Sequence, residues 1–254
     1  MPRVLAARPI AERPLTVGLI GMSGAGKSAT LRALFGGRPA TDGCPRHPLE
    51  TVDLVIAKGH AQTALSAQSI VLRVIDTPGI ESIQERGREF SRLYHTCLEQ
   101  CDAILWVAAA HQPALDRTQM HLRHLPPHLY ARLVFGLNQV DRIEPMDWNG
   151  AFAIPSRRQE EQIQRVAALF SASLYAVIER DPPLISYAAQ RGYRLELLFH
   201  TLLERCAGVR RQAAARLNLL SHQDLVIYEK RCQQDSTDKG ANDDHNNKTA
   251  ASIA

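Results

Sequence analysis

The fold is decided by one stretch of the sequence, Thr16-Val17-Gly18-Leu19-Ile20-Gly21-Met22-Ser23-Gly24-Ala25-Gly26-Lys27-Ser28. Its first residues form a short apolar run that is typical of a buried parallel strand. The rest fits the pattern G-x-x-x-x-G-K-[ST], and the residues that follow have helical spacing. Glycines let such a backbone turn tightly, so that successive N–H groups and the helix N-terminus converge on phosphate oxygens. The stretch therefore predicts a strand, a phosphate-binding loop and a helix.

The side chains at the end of this loop have defined chemical roles. Lys27 would reach the β- and γ-phosphates of a nucleotide, and the Ser28 hydroxyl would bind Mg²⁺. Because its positive charge would face the transferred phosphoryl group, Lys27 is also the candidate catalytic residue. The other residues of this segment that we expect to contact the nucleotide are Gly21, Ser23, Gly24, Ala25, Gly26 and Ala29.

A second motif, Asp76-Thr77-Pro78-Gly79, ends the apolar run Ile70–Ile75. A carboxylate at the end of such a strand holds Mg²⁺, usually through water. Gly79 can offer its backbone N–H to the γ-phosphate and act as a hinge for the next segment when that phosphate is lost. By itself the motif is typical of a turn, but downstream of a phosphate loop it predicts a switch.

A third motif, Asn138-Gln139-Val140-Asp141, follows the apolar run Leu133–Leu137. The carboxylate of Asp141 can accept two hydrogen bonds from the ring nitrogen and the exocyclic amine of guanine, a pair of donors that adenine does not offer. Asn138 would tie this loop to the phosphate loop, and we include Gln139 among the nucleotide-binding residues. The order of the motifs favours GTP and GDP, and an ATPase stays the alternative if Asp141 does not face the base.

Short strand-like runs alternate with helical patterns along the chain. We expect strands at the first apolar run and at Thr51–Ala57, Ile70–Asp76, Ala103–Ala108, Leu133–Leu137 and Pro183–Tyr187. We expect helices at Lys27–Phe35, Gln84–Gln100, Ala114–His124, Arg157–Ile178 and Leu195–Leu217. This alternation predicts an α/β fold, with a mostly parallel six-stranded sheet between helices and ligands at the carboxyl ends of the strands.

The chain divides into four parts by composition. We expect a short N-terminal arm at 1–14, the α/β domain at 15–217, a helical C-terminal extension at 218–232 and a disordered polar tail at 233–254. The tail has too few apolar residues to offset its ordering entropy. We expect the basic helical stretch before the tail to pack on the sheet, and contact with a membrane surface or RNA is the alternative.

The composition limits the classes of partner and the cellular compartment that suit this chain. The net charge of +4 over 254 residues allows contact with nucleic acid or anionic lipid but does not require it. The five cysteines have no zinc-ribbon spacing and suit reduced thiols. Residues 1–15 lack the continuous apolar core of a signal peptide, and no apolar run reaches the length of about 18 residues that a membrane span needs. We therefore expect a cytoplasmic protein.

With these motifs in this order, the chain resembles the Era-like and TrmE-like bacterial GTPases. Within them it is most similar to the small YfjP-like proteins, which are grouped with ribosome-binding GTPases. That branch tends to carry glutamine at the second position of the guanine motif, as Gln139 does here. The resemblance implies a P-loop NTPase with a Ras-like G domain, Mg²⁺ as cofactor, and GTP and GDP as ligands. It also implies a possible contact with the ribosome or RNA, whereas the protein effector stays unknown.

This sequence departs from the family pattern at the metal-binding threonine, at the residue after Gly79 and in the loop that supports the guanine base. The resemblance puts Pro45 where the family has its Mg²⁺-binding threonine, which leaves Thr41 and Thr51 as replacements, with Thr41 favoured. Ile80 follows Gly79 where Ras-like enzymes carry a glutamine that orients water, which predicts slow hydrolysis.

The guanine-supporting loop aligns on Ala188 and Ala189, so that the Ala189 N–H would face the guanine carbonyl oxygen. A register on Ser186 is the alternative. Two functions follow from these departures: a slow GTPase switch, and a guanine-nucleotide-binding scaffold without hydrolysis.

Overall fold

The computed structural model describes residues 14–35, 50–58, 70–85, 87–209 and 225–230. Its helices and strands are, in chain order, β1 (Leu15–Gly21), α1 (Lys27–Phe35), β2 (Glu50–Lys58), β3 (Ile70–Asp76), α2 (Ile80–Glu85), α3 (Arg88–Gln100), β4 (Ala103–Ala109), α4 (Leu115–His124), β5 (Leu133–Asn138), β6 (Trp148–Asn149), β7 (Ile154–Pro155), α5 (Arg157–Ile178), β8 (Leu184–Ser186), α6 (Leu195–Val209) and β9 (Leu225–Lys230). The candidate metal ligand Thr41, Pro45 and the predicted tail 233–254 lie outside the described residues, as does nearly all of the predicted arm.

The main sheet has the strand order β8-β5-β4-β1-β3-β2-β9. Strands β8, β5, β4, β1 and β3 run parallel to one another, and β2 joins the edge antiparallel to β3. The prediction of an α/β fold with a mostly parallel sheet is therefore confirmed. The predicted number of six strands is wrong, because the sheet has seven.

The seventh strand also corrects the predicted helical extension at 218–232. Residues Leu225–Lys230 form β9, which pairs antiparallel with β2 from Asp53 opposite Lys230 to Lys58 opposite Leu225. The β-branched and aromatic residue types in this segment favour a strand, and the outer edge of β2 offers unpaired backbone groups to it.

The predicted helix Gln84–Gln100 is two helices, α2 and α3. Gly87 lies between them with a positive φ of 88°, a conformation that does not continue a right-handed helix. The chain therefore changes direction shortly after the second sequence motif, and α2 begins immediately after Gly79.

The core fills both faces of the sheet. In β4, Ile104, Trp106 and Ala108 pack into the cluster that contains side chains of α3, α4 and α5. The alternate residues Leu105 and Val107 pack into the cluster on the other face, beneath α1 and α6. All five are buried, as the period of two along a strand requires when helices cover both faces.

This layering brings the three sequence motifs to one edge of the sheet. The loops after β1, β3, β5 and β8 all leave the carboxyl ends of parallel strands, so they converge. Within the described part of the chain, none of the helices has the length and apolar character needed to cross a membrane.

Candidate nucleotide site

The phosphate loop links the end of β1 to the start of α1 and packs directly against the third motif. Gly26 has a φ of 93°, and a Cβ at this position would overlap the side-chain amide nitrogen of Asn138. Both constraints exclude other residue types, because a side chain would be strained in this conformation and would push Asn138 away. Glycine therefore permits the close approach of the two loops.

Lys27 is buried with its ammonium group turned back over the loop. Its Nζ donates hydrogen bonds to the carbonyl oxygens of Gly21 at 3.0 Å and Met22 at 3.1 Å. Burial lowers the pKa of Lys27, while the carboxylates of Asp76 and Glu81 act in the opposite direction, and the net effect is a lowered pKa. The ammonium group thus lies inside the loop that would hold the phosphates.

Ser28 and Asp76 meet at the start of α1. Ser28 Oγ donates to Asp76 Oδ2 at 3.2 Å. Mg²⁺ prefers oxygen ligands at about 2.1 Å in octahedral geometry, which places neighbouring ligands about 3 Å apart. Among the described residues there is no group of three or more His, Cys, Asp or Glu side chains suited to a metal. The pair therefore fits a Mg²⁺ ion that takes its other oxygens from phosphates and water, and Thr41 stays a prediction.

The second motif lies against the phosphate loop. A Cβ at Gly79 would overlap Ser23 Oγ, so only glycine allows this approach. Ile80 is 5% exposed and packs in the core, on the face covered by α3, α4 and α5. Its side chain is therefore directed into the protein and is part of the anchor of α2.

Glu81 makes a contact that the sequence analysis missed. Its Oε2 accepts a hydrogen bond from the backbone N–H of Ser23 at 3.0 Å, and its Oε1 lies 3.8 Å from Arg117 of α4. Burial acts to raise the pKa of Glu81, but hydrogen bonds from the backbone N–H groups of Ser23 and Glu81 and from the Ser23 hydroxyl, together with the charge of Lys27, outweigh it, and the pKa is lowered. A carboxylate thus uses a phosphate-loop N–H, the kind of group that binds phosphate oxygens.

The third motif is tied to the phosphate loop by two side chains. Asn138 Nδ2 donates to the carbonyl oxygen of Ala25 at 3.1 Å, and Gln139 Nε2 donates to that of Gly24 at 3.0 Å. Gln139 adopts a left-handed backbone conformation with a φ of 63°. The two loops are therefore held as one unit.

Asn138 also reaches the loop after β8. Its Oδ1 accepts the backbone N–H of Ala189 at 3.1 Å, and both Ala188 and Ala189 are buried. In this structure the Ala189 N–H is thus donated within the protein, and its contact with a guanine carbonyl oxygen stays a prediction. Ser186, the alternative register, is the last residue of β8.

Gln159 is a second residue that the sequence analysis did not assign to the site. It is fully buried in the first turn of α5, and its Nε2 lies within hydrogen-bond distance of the carbonyl oxygens of Val140 (3.3 Å), Asp141 (3.4 Å) and Ile143 (2.9 Å). The available signal was the S-x-x-Q spacing from Ser156, which marks a helix start. Gln159 thereby fixes the backbone beside Asp141.

Asp141 itself lies at the entrance of the site. Its side chain is 14% exposed, and its Oδ2 lies 3.7 Å from Arg191 Nε in the loop after β8. The carboxylate therefore lies between two loops that carry the predicted base contacts.

Comparison with protein families and curated proteins agrees with this geometry. Residues 16–139 match the family model described as 50S ribosome-binding GTPase. The uncharacterized protein YfjP of Escherichia coli (strain K12) is 29% identical over 193 residues, which cover 74% of this chain and 61% of YfjP. YkfA of the same organism is 24% identical with the same coverage. The chain thus spans about 61% of the length of these relatives.

Solved structures share the fold. A variant of Era from Aquifex aeolicus bound to GDP·AlF4⁻ aligns with a TM-score of 0.51 and 16% identity, over 75% of this chain and 56% of Era. Toc33 from Arabidopsis thaliana, in complex with Mg²⁺ and GMPPNP, aligns with a TM-score of 0.53 and 13% identity, over 77% of this chain and 85% of Toc33. The predicted resemblance to the Era-like and YfjP-like GTPases is confirmed by these findings, since the chain is similar to this family in its motifs and fold and to YfjP in sequence.

Proposed function

We propose that this chain binds GTP and GDP together with Mg²⁺ and acts as a slow GTPase switch. The observation that carries the proposal is the position of Asn138, whose side chain joins the phosphate loop at Ala25 to the base loop at Ala189. A nucleotide bound at both loops would therefore have its phosphates and its base held in one rigid frame.

The choice of base rests on Asp141. An ionised carboxylate only accepts hydrogen bonds, and guanine presents adjacent N1–H and N2–H donors to it. A site that hydrogen-bonds a ligand group discriminates strongly against an analogue that lacks it, because its own polar group would then be buried without a partner. Asp141 is mostly buried, which increases that cost for adenine.

The proposed reaction is the in-line attack of water on the γ-phosphorus. The bond to the bridging oxygen breaks, GDP leaves with its electron pair, and the proton of the attacking water passes to solvent or to the phosphate. When bound, Mg²⁺ held by Ser28 and Asp76 would neutralise charge on the phosphate oxygens. Lys27 would move from its two carbonyl contacts to the phosphate oxygens and stabilise the charge that develops there.

The switch would act through Gly79 and Glu81. Glu81 connects the phosphate loop at Ser23 to α4 at Arg117. A γ-phosphate near Ser23 would compete with the Glu81 carboxylate for the same N–H and repel its charge. Binding of GTP would thus move α2 relative to α4, whereas GDP would leave the contact in place.

The competing function is a scaffold that binds guanine nucleotides without hydrolysis. Its support is Ile80, which is buried in the core and has no polar group to orient water. Single-turnover hydrolysis of bound GTP in the presence of Mg²⁺ separates the two functions, with Lys27→Ala as the reference. Turnover of the wild-type protein above that variant supports the enzyme. Intact GTP binding without such turnover rejects it in favour of the scaffold.

The proposal also includes a partner and a cellular location for the protein. The family description suggests that the ribosome is the partner, and sedimentation of the protein with ribosomes in the presence of a GTP analogue, but not GDP, is the expected result. Equal sedimentation with both nucleotides would contradict a nucleotide-dependent contact. We propose a cytosolic location, where the five cysteines of the chain would stay reduced.

A further inference from the structure

We propose that Arg191 is a specificity-determining residue, which holds the Asp141 carboxylate in position for the guanine base while resting on the ring of Trp148. The inference rests on the proposed binding of guanine nucleotides. It adds a positioning clamp, built from Arg191 and Trp148, to the residues that the three motifs supply.

The clamp joins two elements that are distant in the chain. Arg191 belongs to the short 3-10 turn Ala189–Arg191 after β8, and its Nε lies 3.7 Å from Asp141 Oδ2. The Arg191 side chain is 48% exposed, whereas that of Asp141 is 14% exposed. The charge of the mostly buried carboxylate is thus compensated from the solvent side.

Trp148 gives the guanidinium group a fixed platform. The guanidinium carbon of Arg191 lies 5.6 Å from the centre of the Trp148 ring, within the range of a cation–π contact. Trp148 is itself held edge-to-face by Tyr193, with ring centres 5.3 Å apart. Tyr193 is anchored in turn, because its hydroxyl donates to Glu160 Oε2 at 3.1 Å. The guanidinium orientation therefore depends on α5 and β6 as well as on its own loop.

The geometry allows Arg191 to orient the Asp141 carboxylate without occupying the positions that the guanine base would use. A carboxylate has about four lone-pair sites, so contact with Arg191 leaves capacity for two donors from guanine. The planar guanidinium orients the carboxylate plane, which lysine cannot do to the same extent. An Asp141 side chain that is restricted in this way loses less conformational entropy when the base binds.

The test measures base discrimination in the full chain. Dissociation constants of GDP and IDP are determined for the wild-type protein, Arg191→Gln, Arg191→Lys and Trp148→Phe, in Mg²⁺ buffer. IDP retains the ring N–H but lacks the exocyclic amine, so the ratio of the two constants reports how well both carboxylate oxygens are aimed. We expect Arg191→Gln to reduce the preference for GDP by about fivefold, with smaller reductions for the other two variants.

The chain offers a matched control in Arg157→Gln. Arg157 lies in the first turn of α5, is 94% exposed and pairs with Glu161, away from Asp141, Trp148 and Tyr193. This variant removes the same charge from the surface, so the preference for GDP over IDP should stay at the wild-type value. Thermal melting of each variant separates base discrimination from loss of fold, which would weaken both ligands alike.

The outcomes are distinct. A weaker preference for GDP over IDP in Arg191→Gln but not in Arg157→Gln supports the clamp, and if Arg191→Gln does not fold, Arg191→Lys and Trp148→Phe decide in its place. An unchanged or stronger preference for GDP in a protein that binds GDP overturns the clamp and leaves the proposed function standing. A wild-type protein that does not bind GDP would overturn both.

Discussion

The Tyr187 side chain lies fully buried between α1 and the loop after β8, with its hydroxyl oxygen 2.7 Å from Thr30 Oγ1. Its backbone carbonyl oxygen accepts the N–H of Val140 at 3.4 Å. Gly136 in β5 makes room for the ring, since a Cβ there would approach the Tyr187 ring to 2.8 Å. One residue thus contacts the helix that follows the phosphate loop, the strand β5 and the loop that follows β5.

Replacing Tyr187 by phenylalanine removes only the hydroxyl. Thr30 Oγ1 keeps its hydrogen bond to the carbonyl oxygen of Gly26, so we expect the free energy of unfolding to fall by about 1 kcal/mol. Urea denaturation measures the change, with Tyr175→Phe on the surface of α5 as the control. A loss equal to that of the control would show that the buried hydrogen bond does not contribute.

Glu81 gives a prediction about nucleotide preference. In Glu81→Gln the side chain keeps its size but no longer places a negative charge at the Ser23 N–H. Because GTP carries more negative charge at this end than GDP, we expect the affinity for a GTP analogue to rise about threefold to tenfold relative to GDP. Equilibrium titration of both nucleotides measures the ratio.

The control for this variant is Glu99→Gln, which changes the same group in α3. Glu99 is paired with His128 on the surface, away from the phosphate loop. A change of the same size in Glu99→Gln, or an unchanged ratio in Glu81→Gln, would contradict competition between Glu81 and the γ-phosphate.

Single residues differ in how far the sequence alone could identify them. Lys27, Asp76, Asn138 and Asp141 stand in motifs with fixed spacing, so their positions followed from the strands before them. Glu81, Gln159 and Arg191 act across loops through contacts between residues at least 16 positions apart. No local pattern reports such contacts, because they depend on how the elements pack.

At the scale of elements, α5 allows the contribution of a helix cap to stability to be tested separately from nucleotide binding. Ser156 lies directly before the predicted helix Arg157–Ile178 and caps it by accepting the N–H of Gln159 at 3.2 Å. We expect Ser156→Ala to reduce the free energy of unfolding by about 1 kcal/mol, because an N–H in the first turn loses its partner. Ser91→Ala in α3 is the control, since its hydroxyl only bonds a carbonyl oxygen one turn earlier.

Denaturation and GDP titration are measured on the same samples of the wild-type protein, Ser156→Ala and Ser91→Ala. The Ser156 hydroxyl lies outside the phosphate and base contacts, so stability should fall while GDP affinity under native conditions stays near the wild-type value. A variant as stable as the wild-type protein would contradict the role of the cap.

The elements also show which strands and helices can be predicted from sequence patterns alone. The parallel strands β1, β3, β4, β5 and β8 were recognisable because helices bury both of their faces and leave apolar runs. The edge strand β9 was misassigned as helix, since its pairing with β2 is set by a partner more than 160 positions earlier in the chain. The break at Gly87 was missed because one positive φ interrupts an otherwise helical pattern.

For the whole molecule, the account depends on the convergence of four loops at one edge of the sheet. These loops carry the residues that we propose to contact the phosphates, the metal and the base, and the Asn138 side chain connects three backbone segments there. The chain should therefore bind the phosphates and the base of a guanine nucleotide at the same time. It should bind an adenine nucleotide more weakly, because the contacts to the base would be lost.

The most direct measurement is the competition of unlabelled GTP and ATP against a labelled guanine nucleotide in Mg²⁺ buffer, on the full chain. We expect GTP to compete about a hundredfold better than ATP, because the mostly buried Asp141 carboxylate would lose its donors with adenine. Lys27→Ala should weaken both competitors without removing the preference. Equal competition by GTP and ATP in the wild-type protein would contradict the account.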